Sequence, residues 1–215
     1  MEFPPTFFDR ADPAPDNRFY APPRLVTHID HRAIAGVGAL YDELGVNGHV
    51  LDLMSSWVSH FTRSPAALTV LGMNEVELAR NPQASSTVVH DLNVDPSLPF
   101  PAASFDDAVC CVSVDYLVAP VAVFSEVARV LHPGGRFVIT FSNRCFPTKA
   151  IRGWLEATDD ERCDIVVEYF RRSSVALGAA GIAWEDPIVR RGLPDDGARG
   201  DPLFAVWSRS VHSTT

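Results

Sequence analysis

Val50–Leu53, Leu68–Leu71, Thr87–His90, Phe105–Val114 and Arg136–Phe141 are short apolar runs, and helical or turn-forming segments separate them. That alternation restricts the fold more than any other property of the chain. Strands that recur with helices between them must be joined by crossovers, which gives a parallel sheet covered on both faces. Phe105–Val114 is apolar enough to be buried on both sides. Val121–Leu131 has its apolar face at Val123, Phe124, Val127, Val130 and Leu131, and Glu75–Arg80 supplies a shorter helix. Pro133-Gly134-Gly135 turns the chain into the fifth strand.

On either side of this core the pattern changes. Residues 1–24 hold six prolines, four phenylalanines and a tyrosine, which makes an extended arm packed on the domain or over a site. Leu25–Leu44 has apolar residues at helical intervals, and Gly45 and Gly48 end that helix. Pro147 opens a helix through Leu155, and Thr158 with Glu161 has capping-box spacing before a helix over Asp159–Arg172. Ala183–Val189 and Leu203–Ser208 read as two last strands joined by RRGLPDDGARGDP, an antiparallel hairpin at the sheet edge. The expectation is an arm (residues 1–24) and a single α/β domain (residues 25–215). That domain would be a Rossmann-like, doubly wound, mostly parallel seven-stranded sheet with an antiparallel C-terminal hairpin strand.

Composition narrows the function classes. A net charge of −9 with no basic run argues against a nucleic-acid partner. No apolar stretch approaches the ~20 residues of a membrane span, and MEFPPTFFDR lacks the pattern of a secretory signal. Cys110, Cys111, Cys145 and Cys163 have no C-x-x-C spacing, which suits buried thiols in a reducing cytoplasm.

Ligands of open parallel sheets sit beyond the carboxyl ends of the strands, where the winding reverses. Elsewhere the chain carries Leu98-Pro99-Phe100, Ser104-Phe105-Asp106 and Arg129-Val130-Leu131-His132-Pro133-Gly134-Gly135. Together they resemble the class I S-adenosylmethionine-dependent methyltransferases, in particular the small-molecule, type 11-like branch, over roughly Val50 to Ser208. The runs DLMSSWVSH, GMNEVEL and FSNRCFPTKAI resemble a subgroup of that family described only as methyltransferase-like.

The resemblance implies S-adenosylmethionine as cofactor, S-adenosylhomocysteine as product, and a small-molecule acceptor. Asp52 takes the place of the acid that ends the first strand. Met54, Ser55 and Ser56 replace the glycines that normally follow it, so serine hydroxyls would meet the cofactor's carboxylate. Gly72 falls where the family has a ribose-binding acid; Asn74 either substitutes for it or caps the next helix. Met73 would lie near the adenine edge or fill core. Asp91 would accept from the adenine amino group, Leu92 would supply a backbone amide, and Ser113 would flank the cofactor.

Methyl transfer from a sulfonium needs alignment and exclusion of water, and a base only where the acceptor must lose a proton. His28, His31, Asp30, Tyr116 and Lys149 are candidates for that base. His28, Tyr116, Asn143 and Arg144 are the residues expected around the reacting centre. Ser142-Asn143-Arg144 either binds a polar or anionic acceptor or holds the arm, with Arg144 paired to an acid there. Trp57 and Trp154 line an aromatic pocket or fill core. The histidines do not complete a metal site. The alternative reading is a methyltransferase-like protein without catalysis that binds a ligand or partner through the same cleft. Oligomeric state is open.

Overall fold

The computed structural model describes residues 2–192 and 200–213. An eight-stranded sheet runs in the order β3-β2-β1-β4-β5-β8-β6, with β7 beside β8. The parallel part comprises β1 (His49–Leu53), β2 (Ala67–Gly72), β3 (Ser86–Val89), β4 (Phe105–Cys111) and β5 (Leu131–Phe141). Val50 of the central β1 is in register with Leu68 on one side and Asp107 on the other. Leu51 and Leu53 enter the core under α4 (Pro120–Val130) and α6 (Asp159–Leu177). Val50 faces the opposite core, which is covered by α2 (His31–Leu44). A strand buried on both faces reads as an unbroken apolar run, as β1 does. The winding reverses between β1 and β4, and that places the crevice.

Helix ends follow local chemistry. Asp30 caps α2 by accepting from the Ala33 N–H at 2.8 Å, and Gly45 closes it at φ +67°. The helix therefore begins six residues later than its apolar periodicity suggests, and residues 25–30 lead into it. The expected capping box forms: Thr158 accepts from Glu161 N–H, and the Glu161 carboxylate accepts from Thr158 N–H at 2.7 Å.

Five expectations need correction. The fifth strand begins at Leu131 instead of Arg136, and Pro133-Gly134-Gly135 lies within it where the register against β4 shifts. The arm contains a short helix, α1 (Asp16–Tyr20), which Pro15 precedes and whose buried Asp16 is held by Arg10. The helix expected from Pro147 begins only at α5 (Arg152–Glu156). The fourth strand stops at Cys111, because Val112 turns to φ +46° and 114–116 form a 3-10 turn. The strand expected over Ala183–Val189 is two, β6 (Ile182–Trp184) and β7 (Ile188–Arg190), separated by Glu185-Asp186-Pro187, so the sheet has eight strands. Both pair antiparallel with β8 (Phe204–His212), whose other edge pairs antiparallel with β5. The connecting loop RRGLPDDGARGDP falls mostly outside the described residues. No described helix is long and apolar enough to cross a membrane.

The arm is tied down at several points. Phe3, Phe7 and Phe8 cluster against Tyr169. Gly153 allows the Phe7 ring to lie on the backbone, and the amides of Arg152 and Gly153 donate to Asp9 and Phe7 carbonyls. Fully buried Lys149 ion-pairs Asp12 at 3.0 Å and Asp16 at 3.2 Å and donates to the Ala14 carbonyl at 2.8 Å.

Candidate functional site

A cavity of about 580 Å³ opens at the carboxyl ends of β1, β2 and β4. The connection from β1 to β2, residues 54–66, contains no helix. There is accordingly no tight strand-to-helix turn and no helix N-terminus beneath the ligand, which removes the geometric demand for glycine. Met54 turns the chain at φ +53°. Among the described residues, three of the four non-glycine residues at positive φ line this cavity: Met54, His60 and Val112. Strain of this kind persists where surrounding structure enforces it, and it concentrates at functional sites.

Gly72 explains the loop. A Cβ there would collide with the Ser55 carbonyl oxygen, and Ser55 N–H donates to the Leu71 carbonyl at 2.8 Å. The two departures noted in the sequence are thus one packing arrangement. The loop after β1 lies directly on the end of β2, and that end can carry no side chain.

Asp52 is 3% exposed and accepts from Ser55 Oγ at 2.7 Å; Ser59 is its second side-chain partner. Burial pushes its carboxyl from an ordinary 3.8 up to about 6, against those hydrogen bonds. Ser56 Oγ donates to Glu77, whose other oxygen accepts from the Arg24 backbone N–H at 2.6 Å. The donor protons of Ser55 and Ser56 therefore serve acids of the protein itself. Asn74 caps α3 (Glu75–Leu78) through Glu77 N–H and ties the arm by donating to the Tyr20 carbonyl at 2.8 Å.

Met73, Asp91 and Leu92 line the cavity beyond β2 and β3. One Asp91 oxygen accepts from Asn93 N–H at 2.9 Å, forming a turn. Asn93 in turn donates to Asp16 and to the Tyr116 carbonyl, joining arm and site. Ser113 Oγ donates to the Cys111 carbonyl at 3.0 Å.

His28 lies outside α2, not on one of its faces. It lines the cavity with its ring edge-on to Phe146 at 5.1 Å, and burial lowers its pKa. Tyr116 lines the cavity too, but its hydroxyl accepts from Phe146 N–H at 2.8 Å, and burial raises its pKa far from the range of a base. Asn143 and Arg144 stand at the rim. Arg144 pairs with Asp201, before β8, at 3.7 Å, rather than with an acid of the arm. Lys149 is the arm's anchor, His31 is exposed on α2, and Asp30 is that helix's cap, so none of these three faces the cavity. Trp57 lines it and donates to the Val26 carbonyl, whereas Trp154 is core. The cysteines are free thiols, and no described cluster of His, Cys, Asp and Glu could hold a metal.

Sequence reasoning missed Tyr20, Arg24, Glu77 and Phe146 as cavity residues. The aromatic arm signalled the first two, and the FSNRCFPTKAI run contained the last. Nothing in the sequence distinguishes Glu77 from an ordinary first-turn acid.

The fold is the Rossmann-like α/β fold of methyltransferases. A family model described as a methyltransferase domain matches residues 46–139, from just before β1 into β5. No curated protein matches the chain. The chain is similar in structure to Burkholderia thailandensis 1,6-didemethyltoxoflavin-N1-methyltransferase, solved with 1,6-didemethyltoxoflavin and S-adenosylhomocysteine; identity is 20%, coverage 85% of this chain and 80% of that one, and TM-score 0.56. It is similar to a Methanosarcina mazei S-adenosylmethionine-dependent methyltransferase, with 14% identity, 81% and 98% coverage and TM-score 0.51. It is also similar to the cyclase SpnF, with 16% identity, 92% coverage of each chain and TM-score 0.53. The family model covers less than half of the chain, and these neighbours, at 20% identity or less, share its fold. A fold shared with a cyclase does not fix the reaction, which has to be argued from the site.

Proposed function

We propose that the protein transfers a methyl group from S-adenosylmethionine to a small-molecule acceptor in the cytoplasm. One observation supports this most: a single cavity joins the ends of β1 and β3, with Asp52 and Asp91, to a second wall made by residues 16–28 and 143–147. Two ligands that must meet in line need such a two-ended chamber.

The residues present fit the cofactor. Asp52 offers a buried acceptor for the ammonium group of its amino-acid end, and backbone fixed by Met54 and Gly72 shapes the wall beside it. The free oxygen of Asp91 and the backbone at Leu92 would hold the adenine, and Met73 would pack on it. When bound, the group supplies an electrophilic methyl with a neutral thioether as leaving group.

The protein contributes position and dryness. The arm, through Tyr20 and Arg24, and Phe146 cover the acceptor end and exclude water. His28, whose pKa burial lowers, is neutral imidazole near pH 7 and can take a proton from the acceptor. Asn143 and Arg144 stand where they can orient polar groups of the acceptor. Gly72 and the absent loop glycines, which suggest an inactive relative when taken singly, are accounted for by one packing arrangement.

Titration calorimetry with S-adenosylhomocysteine tests the reading. Micromolar affinity that falls at least about tenfold in Asp91→Ala is expected. No heat of binding with folded protein would contradict it.

A further inference from the structure

The charge at the two ends of the cavity is divided, and the division bears on which acceptors can bind. At the cofactor end the charged side chains are the acids Asp52 and Asp91. At the acceptor end the acids are engaged: Asp16 by Arg10 and Lys149, Glu77 by Ser56 Oγ and the Arg24 backbone. Two cations remain there. Among the described residues, the Arg24 guanidinium meets no carboxylate. Its Nη2 donates to the Phe19 carbonyl at 2.8 Å, and its plane lies 4.5 Å over the Phe19 ring and 5.5 Å from Phe146. Among the described residues, the ion-pair partner of Arg144 is Asp201, at the long distance of 3.7 Å, and its side chain is 64% exposed.

The rest of that wall is aromatic. Phe146 is the hub, with His28 edge-on at 5.1 Å and Tyr116 at 6.1 Å, while Tyr20 and Trp57 complete the lining. Rings in edge and tilted arrangements favour a flat π-system, and a guanidinium already stacked on rings can form a planar bidentate pair with a carboxylate. Amines would meet two cations, and the acid there without an ion-pair partner among the described residues, Glu77, already accepts from Ser56 Oγ and the Arg24 N–H.

Resting on the methyl-transfer reading, we propose that the acceptor is a planar aromatic molecule carrying an anionic group, with Arg24 as the specificity-determining residue and Phe146 as the ring platform. The charge of the acceptor, and not only its shape, then decides entry. An aromatic acid is admitted, its amide binds weakly, and the corresponding amine is rejected.

The test uses full-length protein saturated with S-adenosylhomocysteine and three probes of one ring system: 1-naphthoate, 1-naphthamide and 1-naphthylmethylamine, with benzoate and benzamide as a smaller pair. Calorimetry is expected to show each acid binding at least about tenfold tighter than its amide, and the amine not binding. Arg24→Gln should erase the preference for acid over amide, while Phe146→Leu should weaken acid and amide alike. Binding of S-adenosylhomocysteine without discrimination between acid and amide, or with a preference for the amine, overturns the acceptor assignment and leaves the cofactor reading intact. Failure to bind S-adenosylhomocysteine overturns the cofactor reading, and the assignment falls with it. The wild-type comparison stands even if either variant fails to fold.

Discussion

Asp52 and Asp16 are equally buried, at 3% and 4% exposure, and both line the cavity, yet they titrate in opposite directions. Asp52, at the end of β1, is faced by hydroxyls, so desolvation dominates and raises it to about 6. Burial would also raise Asp16, in the arm, but hydrogen bonds from Arg10, Asn93 and Lys149 outweigh it and hold the carboxyl below its usual range. The proposed cofactor end is thus made of backbone and strand ends, with a carboxylate that meets no cation among the described residues. The acceptor end is made of segments remote in sequence, held together by ion pairs. In this molecule the first end is architecture and the second is assembly.

If that contrast is right, the ends should fail separately. Lys149→Met would leave Asp12 and Asp16 without their shared cation, at a cost of about 3 kcal/mol in denaturant unfolding. Hydrogen exchange should then rise in residues 9–24 while S-adenosylhomocysteine affinity stays near wild type. Gly72→Ala is the opposite experiment. Overpacking against the Ser55 carbonyl should cost about 1–3 kcal/mol and abolish cofactor binding, because the loop after β1 must lift away. Normal binding in Gly72→Ala would break the comparison.

The two aspartates also give opposite pH signatures. A raised pKa means that the folded state holds the proton more tightly, so the stability Asp52 costs grows as pH rises from about 4 to about 6. Asp52→Asn should remove that decline and gain about 3 kcal/mol at pH 7 over the parent. Asp16, with a lowered pKa, contributes stability above pH 4 that is lost as the carboxyl protonates in acid. Asp16→Asn should therefore be destabilised at pH 7 and approach the parent at low pH. The smallest effect expected is Asn74→Ala, about 1 kcal/mol for the lost cap of α3, with some loosening of Tyr20.

The same contrast decides what could be read from the sequence. The central strands β1, β2 and β4 are visible because a strand buried on both faces has to be apolar nearly throughout, and Asp52 and Asp91 follow from their places at strand ends. Gly72 was visible as an anomaly, but its cause, the Ser55 carbonyl above it, is a tertiary contact between a loop and a strand end and carries no local signature. Lys149 was named among the candidate bases, whereas its partners, Asp12 and Asp16, lie more than a hundred residues away and leave no local signature. Arg24 was hidden for the same reason. An arginine that follows two prolines reads as surface until the arm is folded across the cavity.

The most direct test of the central claim is a crystal structure of the protein with S-adenosylhomocysteine. The account predicts the amino-acid end beside Asp52, the adenine beside Asp91 and Leu92, and the sulfur directed toward Phe146 and His28. The product bound elsewhere, or excluded because the arm fills the space between Asp52 and Asp91, would contradict it.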